Sequence, residues 1–504
     1  MAILQTKKTA LVLAIAALSM NSYGLSFQPT DDLNVEWDTT IGYTAGWRVS
    51  ERDQALLAAK PNNTDGSYNF DKGDLMANRL TVLTEADFNY KKDFGFFIRA
   101  KAFYDGIYHG INSNSVNPAP NYSSSAANEF SSAAKNQHGD DIRLLDAFVY
   151  GNFNIAEHNM SVRVGNQVVS WGESLFIPNG IASNNPVDVT AAAVPGVELK
   201  EIFLPVGTVY GQLDLTDRVS IEAFYQYDWD RTELNAPGSY FSDTDFVGPG
   251  ADKLYVPGLA LARGADNQPQ DDGQWGVALH YISDFMGETD FGFYAMNYHE
   301  QAEQVVYIPG VNPWPDFAFD YAEDTHLYGA SFGTVAGDVN ISGELSYRDN
   351  IPVPLLSGVE RVKMWQAQSS ISYLTGSNAL ADDTLILFEV GANKITGDHA
   401  SDLLFDEFAW GYVGQVKLHY FGIAPGLDLI VPINFKHGVN GTSSAIASGF
   451  KEGSKAINVG FDFRYQNNLT ASLAYTNFFG KAEHAFAGDL RDRDFVSLNL
   501  KYSF

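Results

Sequence analysis

The chain has 504 residues, 32 of them basic and 61 acidic, for a formal charge of −29, with no cysteine, 45 glycines and 13% aromatics. The lack of cysteine excludes a disulfide framework and a Cys-ligated metal, and so acidic a surface repels phosphate backbones, which sets nucleic acid aside as a partner. Apolar and aromatic content are too high for intrinsic disorder, and few charges among many Tyr, Phe and Gly fit one large all-β domain.

At the N-terminus Lys7 and Lys8 precede an unbroken run of apolar and small residues over 9–18, and Ser22-Tyr23-Gly24 puts small residues at the −3 and −1 positions of a cleavage site. This is the pattern of a secretory signal peptide spanning 1–24, removed after Gly24. No later stretch approaches the roughly 18 apolar residues of a membrane helix. If the remaining 25–504 meet a bilayer, they meet it as strands.

From Val35 onward the period is two. Trp37, Thr39, Ile41, Tyr43, Ala45 and Trp47 alternate with Asp38, Thr40, Gly42, Thr44 and Gly46, as on a pleated strand with one apolar face. Leu80, Val82, Ala86, Phe88 and Tyr90 repeat the pattern, and past Lys91-Lys92-Asp93 come Phe94, Phe96, Ile98 and Ala100. Val219 to Trp229 and the stretches 339–347, 412–420, 427–435, 457–465 and 469–475 follow suit, and the chain closes on Val496, Leu498, Leu500, Tyr502 and Phe504. Strands in lipid must close, because an open edge leaves backbone polar groups unpaired. The pattern therefore predicts an all-β fold, a transmembrane antiparallel β-barrel of about 18 strands (16–20). Long polar connections at 49–78, 110–140, 231–273, 299–325, 396–408 and 437–454 alternate with short turns, as extracellular loops alternate with periplasmic turns. Tyr43/Trp47, Tyr104/Tyr108, Tyr227/Trp229 and Tyr475 fall at strand ends, where aromatic girdles belong.

With the apolar parity facing lipid, Arg79, Arg99, Lys101, Arg143, Arg163, Arg348 and Arg464 line the lumen, joined by Glu85, Glu222, Glu344 and Glu389. Both signs occur in comparable numbers, which makes a mixed network that braces the wall or lines a path. Asp146 breaks the parity of Ile142, Leu144 and Phe148, which marks a bulge or a strand end.

Over 165–205 the alternation stops. The blocks Trp171-Gly172-Glu173, Ile177-Pro178-Asn179-Gly180, Asn185-Pro186-Val187-Asp188 and Pro195-Gly196-Val197-Glu198-Leu199-Lys200-Glu201 are too apolar for a plain solvent loop. A segment of this kind is satisfied by folding into the barrel mouth as a constriction or plug. Its candidate site residues are Trp171, Glu173 and Phe176, with Asp188, Glu198, Lys200 and Glu201 as partners for lumenal Arg and Lys.

These blocks, with the stretches 37–48 and 225–241, resemble the bacterial outer-membrane family catalogued as domain of unknown function 1302, and the likeness runs over nearly the whole chain. The resemblance implies a place in the Gram-negative outer membrane, beside RND-superfamily transporters and a second envelope family, and a part in moving hydrophobic molecules. It supplies no catalytic or ligand residues. Lipid and lipopolysaccharide are the expected surroundings, and Phe504 is the expected signal to the barrel-assembly machinery. An adhesive or structural surface protein is the alternative. A hydrolase is a lesser one, since nothing marks a nucleophile beside an oriented base and His299-Glu300 lacks its second His. Neither a metal site nor a cofactor is expected, and loop clusters such as Asp243, Asp245, Asp266, Asp271 and Asp272 read as solvated charge, not a calcium loop.

Overall fold

A ribbon with opposite chemistry on its two faces cannot satisfy both unless the sheet it belongs to divides an apolar space from a wet one. The computed structural model describes residues 24–59, 62–115, 126, 128–256, 258–285, 287–309, 316–355, 358–397, 402–445, 449–482 and 488–504; the expected signal peptide lies, but for Gly24, outside the described residues. The wall opens with β1 (Leu25–Thr30), β2 (Leu33–Arg48), β3 (Leu75–Tyr90), β4 (Phe94–Asp105), β5 (Asp140–Ile155), β6 (His158–Gln167), β7 (Val206–Thr216) and β8 (Val219–Gln226). A small hairpin, β9 (Lys253–Val256) and β10 (Leu259–Ala262), precedes β11 (Gln274–Ser283) and β12 (Thr289–Tyr298). A second one, β13 (Gln304–Ile308) and β14 (Asp316–Asp320), precedes β15 (Thr325–Ala336), β16 (Val339–Leu355), β17 (Gly358–Leu374) and β18 (Asp383–Thr396). The wall ends with β19 (Phe408–Ala424), β20 (Leu427–Asn440), β21 (Ser454–Tyr465), β22 (Leu469–Gly480) and β23 (Phe495–Ser503).

Each wall strand pairs antiparallel with the next, and β23 returns to β2 from Thr40↔Ser503 to Arg48↔Phe495, closing an 18-stranded barrel. β1 continues the same edge of β2 beyond the reach of β23, with Leu25 opposite Trp37 and Phe27 opposite Val35. The two edges that closure must remove are thereby paired along most of their length.

The apolar parity points outward. On β11, Trp275, Val277, Leu279 and Tyr281 are 40–45% exposed, while Gln274, Gly276 and Ala278 between them are buried. Tyr90, Phe94, Tyr281, Tyr465, Leu469 and Tyr502 form an exposed ring near the short turns, and Tyr225, Trp275, Tyr328, Phe408 and Phe479 another near the long connections. Two expected girdle residues belong elsewhere. Tyr108 is buried in a core of Phe70, Phe130 and Tyr240 formed by the long connections, and Trp229 packs edge-on against Tyr321. Both lie past the last paired residue of their strand, where an aromatic ring finds loop neighbours before it finds the outer surface.

The short turns take left-handed backbone at Lys91–Lys92, Ala156–Glu157 and Gln466–Asn467, the geometry of tight hairpins between twisted strands. Asp146 sits at a mid-strand bulge: Ile98 pairs with Ala147 but Ala100 with Leu144, so Leu145 and Asp146 together face Arg99. The bulge turns the Asp146 carboxylate inward to accept from the Arg99 guanidinium at 2.6 Å.

At the far end the long connections are not separate solvated loops, as their composition predicts, but pack on one another. Phe70, Phe130, Ala236 and Tyr240 make one core, and Leu254, Leu261, Phe317 and Phe319 of the two hairpins make another. Arg48 is fully buried among them. It donates to the carbonyls of Ser67 and Phe70 at 3.1 and 2.6 Å and to the Asp492 carboxylate at 3.0 Å. The result is a canopy over the barrel end.

Candidate functional site

The connection between β6 and β7, residues 168–205, runs inside the barrel. Its first turn is fixed by amides: Asn184 and Asn185 each donate to the Val169 carbonyl, and Asn185 accepts from the Val169 N–H. Trp171 then drops into a pocket of the wall. Its indole N–H donates to Glu222 Oε2 at 2.7 Å, and its ring centroid lies 4.9 Å from Phe224 and 5.8 Å from Tyr294. Ile181, Met296 and Leu327 complete this buried cluster, which places an apolar core within the lumen. An indole is held at both ends here, its ring by packing and its N–H by a carboxylate.

Residues 173–183 lie against β16, β17 and β18. Glu389 accepts the N–H groups of Leu175, Phe176 and Ile177 at 3.1, 2.6 and 2.7 Å, and Glu344 accepts those of Glu173 and Ile181 at 2.8 and 2.9 Å. The carbonyls of the same stretch meet donors. Arg348 donates to Asn179, Gly180 and the Ser183 hydroxyl, Gln366 to Pro178 and Gln368 to Ile177. An irregular segment away from bulk water must satisfy each backbone group individually, and charged partners make the stronger bonds. Gly180 is required by this fit, because a methyl at its α-carbon would run into the Glu344 carboxylate and the Gln368 amide.

The later part of the segment reaches the other side. Asp188 caps a short helix, α1 (Val189–Ala192), by accepting from Ala191 N–H at 2.8 Å, and lies 3.8 Å from Arg143 of β5. Arg143 in turn pairs with Glu233 at 2.8 Å. Gly196, with φ +81°, packs against the side-chain amide of Asn499 of β23, so a larger residue there is strained and must push that amide aside. Glu198 pairs with Lys501 at 2.9 Å, Lys200 with Glu85 at 3.1 Å and Glu201 with Lys101 at 3.0 Å. Burial raises the Glu198 carboxyl, but Lys501 and Lys200 outweigh it and hold the group below its ordinary value. β16 and β3 stand half-way round the ring from each other, so the segment spans the lumen from wall to wall.

The structure brings all seven candidate residues to charged or aromatic wall partners: Trp171, Asp188, Glu198, Lys200 and Glu201 through their side chains, Phe176 and Glu173 through backbone N–H groups on Glu389 and Glu344. The Glu173 carboxyl itself takes no part in these contacts, and it is pushed up by burial and then by Asp290 and Glu344. Of the lumenal cations, Arg99, Lys101, Arg143 and Arg348 join this network. Arg163 stacks over Tyr210 at 4.3 Å, Arg464 is exposed near the turn end, and Arg79 is buried against Phe103. The anchoring amides Gln366, Gln368 and Gln226, the last donating to the Asn184 carbonyl at 3.1 Å, were not singled out by sequence reasoning. Their inward parity on β8 and β17 is the signal that could have found them.

Among the described residues no group of three or more His, Asp or Glu side chains could hold a metal ion. His299 is buried, with Nε2 at 2.9 Å from the Asp272 carbonyl and Nδ1 accepting from Asp324 N–H, an arrangement that ties two connections together. Asp243 and Asp266 are engaged by Lys451 and Arg263 at 2.5 and 2.6 Å.

The fold and its internal segment define a closed antiparallel barrel whose lumen is crossed by residues 168–205. A family model described as "Protein of unknown function (DUF1302)" matches residues 5–504, and the chain belongs to that family. No curated protein matches it. Among solved structures it is similar to Acinetobacter baumannii OccAB4 (12% identity, 95% of this chain and 100% of that one, TM-score 0.44). Pseudomonas aeruginosa OccK2 (OpdF) matches at 10% identity, 93% and 97% coverage and TM-score 0.42. The outer membrane channel DcaP of Acinetobacter baumannii matches at 12% identity, 95% and 99% coverage and TM-score 0.37.

Proposed function

We propose that the protein is a channel of the Gram-negative outer membrane in which residues 168–205 decide what crosses. One observation carries this reading: the segment spans the lumen and is bonded to opposite walls, so any solute using the lumen has to pass it. The outward apolar band with an aromatic ring at each end supports residence in a bilayer. Deleting 172–200 and reconstituting the barrel in planar bilayers is expected to raise conductance several-fold. Unchanged conductance would rule out control by this segment.

The solute we infer is small and hydrophobic, and the partners are an RND-superfamily transporter of the inner membrane and a periplasmic protein. This rests on family resemblance, and cross-linking in cells followed by identification of the captured proteins tests it. A surface-recognition role without transport is the second reading, favoured by the packed canopy of long connections. A barrel that never conducts, with or without 172–200, would support that reading over a channel.

A further inference from the structure

Arg79 of β3 is only 4% exposed, and although the charges of Asp105, Asp188 and Glu201 reach it, its guanidinium makes no direct hydrogen bond or ion pair among the described residues. It lies 3.4 Å from the centroid of the Phe103 ring, which covers one face and leaves the in-plane N–H groups unused. Its neighbours are already engaged. Lys101 holds Glu201 at 3.0 Å, Asp188 caps α1, and Asp105 accepts the N–H groups of Asn78 and Ile107 at 3.1 and 3.0 Å. A buried guanidinium with no acceptor is costly, whereas one that meets an incoming carboxylate makes a paired, charge-assisted contact.

Arg79 opens onto a cavity between the wall, the lumenal segment and the canopy, with Met76, Val194, Pro195 and Phe241 as apolar lining. His138 also faces this space; burial, and then Arg79 itself, hold its imidazole down to about 3, so it stays neutral. The enclosed space is small and partly open, so an apolar chain would have to extend beyond it.

We propose that Arg79 docks the carboxylate of an amphipathic organic acid, with the apolar part of the molecule lying against Val194, Pro195 and Phe241. This deepens the channel reading, on which it rests, by giving the solute a carboxylate head. Hexanoate and hexan-1-ol are the probes, titrated calorimetrically into the full-length barrel held in amphipol. The acid is expected to bind at least ten-fold tighter than the alcohol. Arg79→Gln should bring the two within about three-fold, and Val194→Phe, which fills the tail space but keeps the cation, should weaken the acid. Arg163→Gln, elsewhere in the lumen, should leave the preference intact. Heat-modifiable migration reports whether each variant folds. Should Arg79→Gln not fold, the wild-type preference and the Val194→Phe loss decide the matter. Equal binding of acid and alcohol, or an undiminished preference in folded Arg79→Gln, would overturn the assignment. Conductance of the same preparations tests the channel separately. Acid binding without conductance supports the docking role and removes the channel, and conductance without acid preference overturns the docking role alone.

Discussion

Glu389 serves three successive backbone N–H groups, and Glu344 two more, so single carboxylates hold long stretches of irregular chain. Glu389→Ala leaves those amides without an acceptor in a place poor in water. At the usual worth of a hydrogen bond to a charged group the variant should lose about 3 kcal/mol or more of plug attachment. The expected readout is a lower temperature for the heat-modifiable shift on gels together with larger, noisier bilayer currents. Glu389→Gln, which keeps one acceptor oxygen, should fall between. Gly180→Ala should resemble Glu389→Ala, because the added methyl displaces the Glu344 carboxylate from the Ile181 amide. At this scale the sequence was only partly legible. The inward parity of Glu344 and Glu389 could be read from their strands, but Glu344 lies 171 residues from the Glu173 amide it serves. Which carboxylate meets which amide is set by ring closure, and no local pattern encodes that.

Strands were the most legible elements, since the alternation that lipid and water impose on a two-faced ribbon is a local property. Their ends were less so: β19 and β20 extend several residues past the alternating cores at 412–420 and 427–435, because pairing outlasts the hydrophobic contrast. β20 also carries Pro432 in mid-wall. Pairing with β21 runs to Ile430↔Asp462 and resumes at Ile433↔Val459, with Pro432 facing Gly460 across the gap. Proline offers no N–H, so the ladder is one bond short there. Pro432→Val should restore that bond, raise the midpoint of thermal unfolding by an amount worth about 1 kcal/mol, and slow hydrogen exchange in 459–462. An unaltered exchange pattern would mean the gap is closed by something other than the missing donor. The hairpins β9–β10 and β13–β14 were invisible as elements, since each owes its formation to packing on the other, through Leu254 and Leu261 against Phe317 and Phe319.

For the molecule as a whole, the canopy couples the barrel end to pH. Asp245 accepts the N–H groups of Thr64 and Asp65, which joins the first long connection to the fourth. Burial pushes its carboxyl up to about 7, against these N–H groups and Arg493, which pull it down. An acid whose folded pKa lies above its unfolded value near 3.8 binds its proton more tightly when folded. Its stabilising contribution is therefore full below about 4 and lost as the pH rises through about 7. The canopy should resist protease nicking within 239–245 better at pH 5 than at pH 8, and Asp245→Asn should flatten that difference. Equal nicking at both pH values in the wild type would refute the coupling.

The wall grips the lumenal segment chiefly by its amide N–H and carbonyl groups, and a peptide group is the same whatever residue bears it. An exposed position of the backbone-held stretch, such as Leu175, is therefore open to exchange without cutting the attachments. Relatives, or engineered versions, can retune what the lumen admits by changing such side chains while inheriting the same frame.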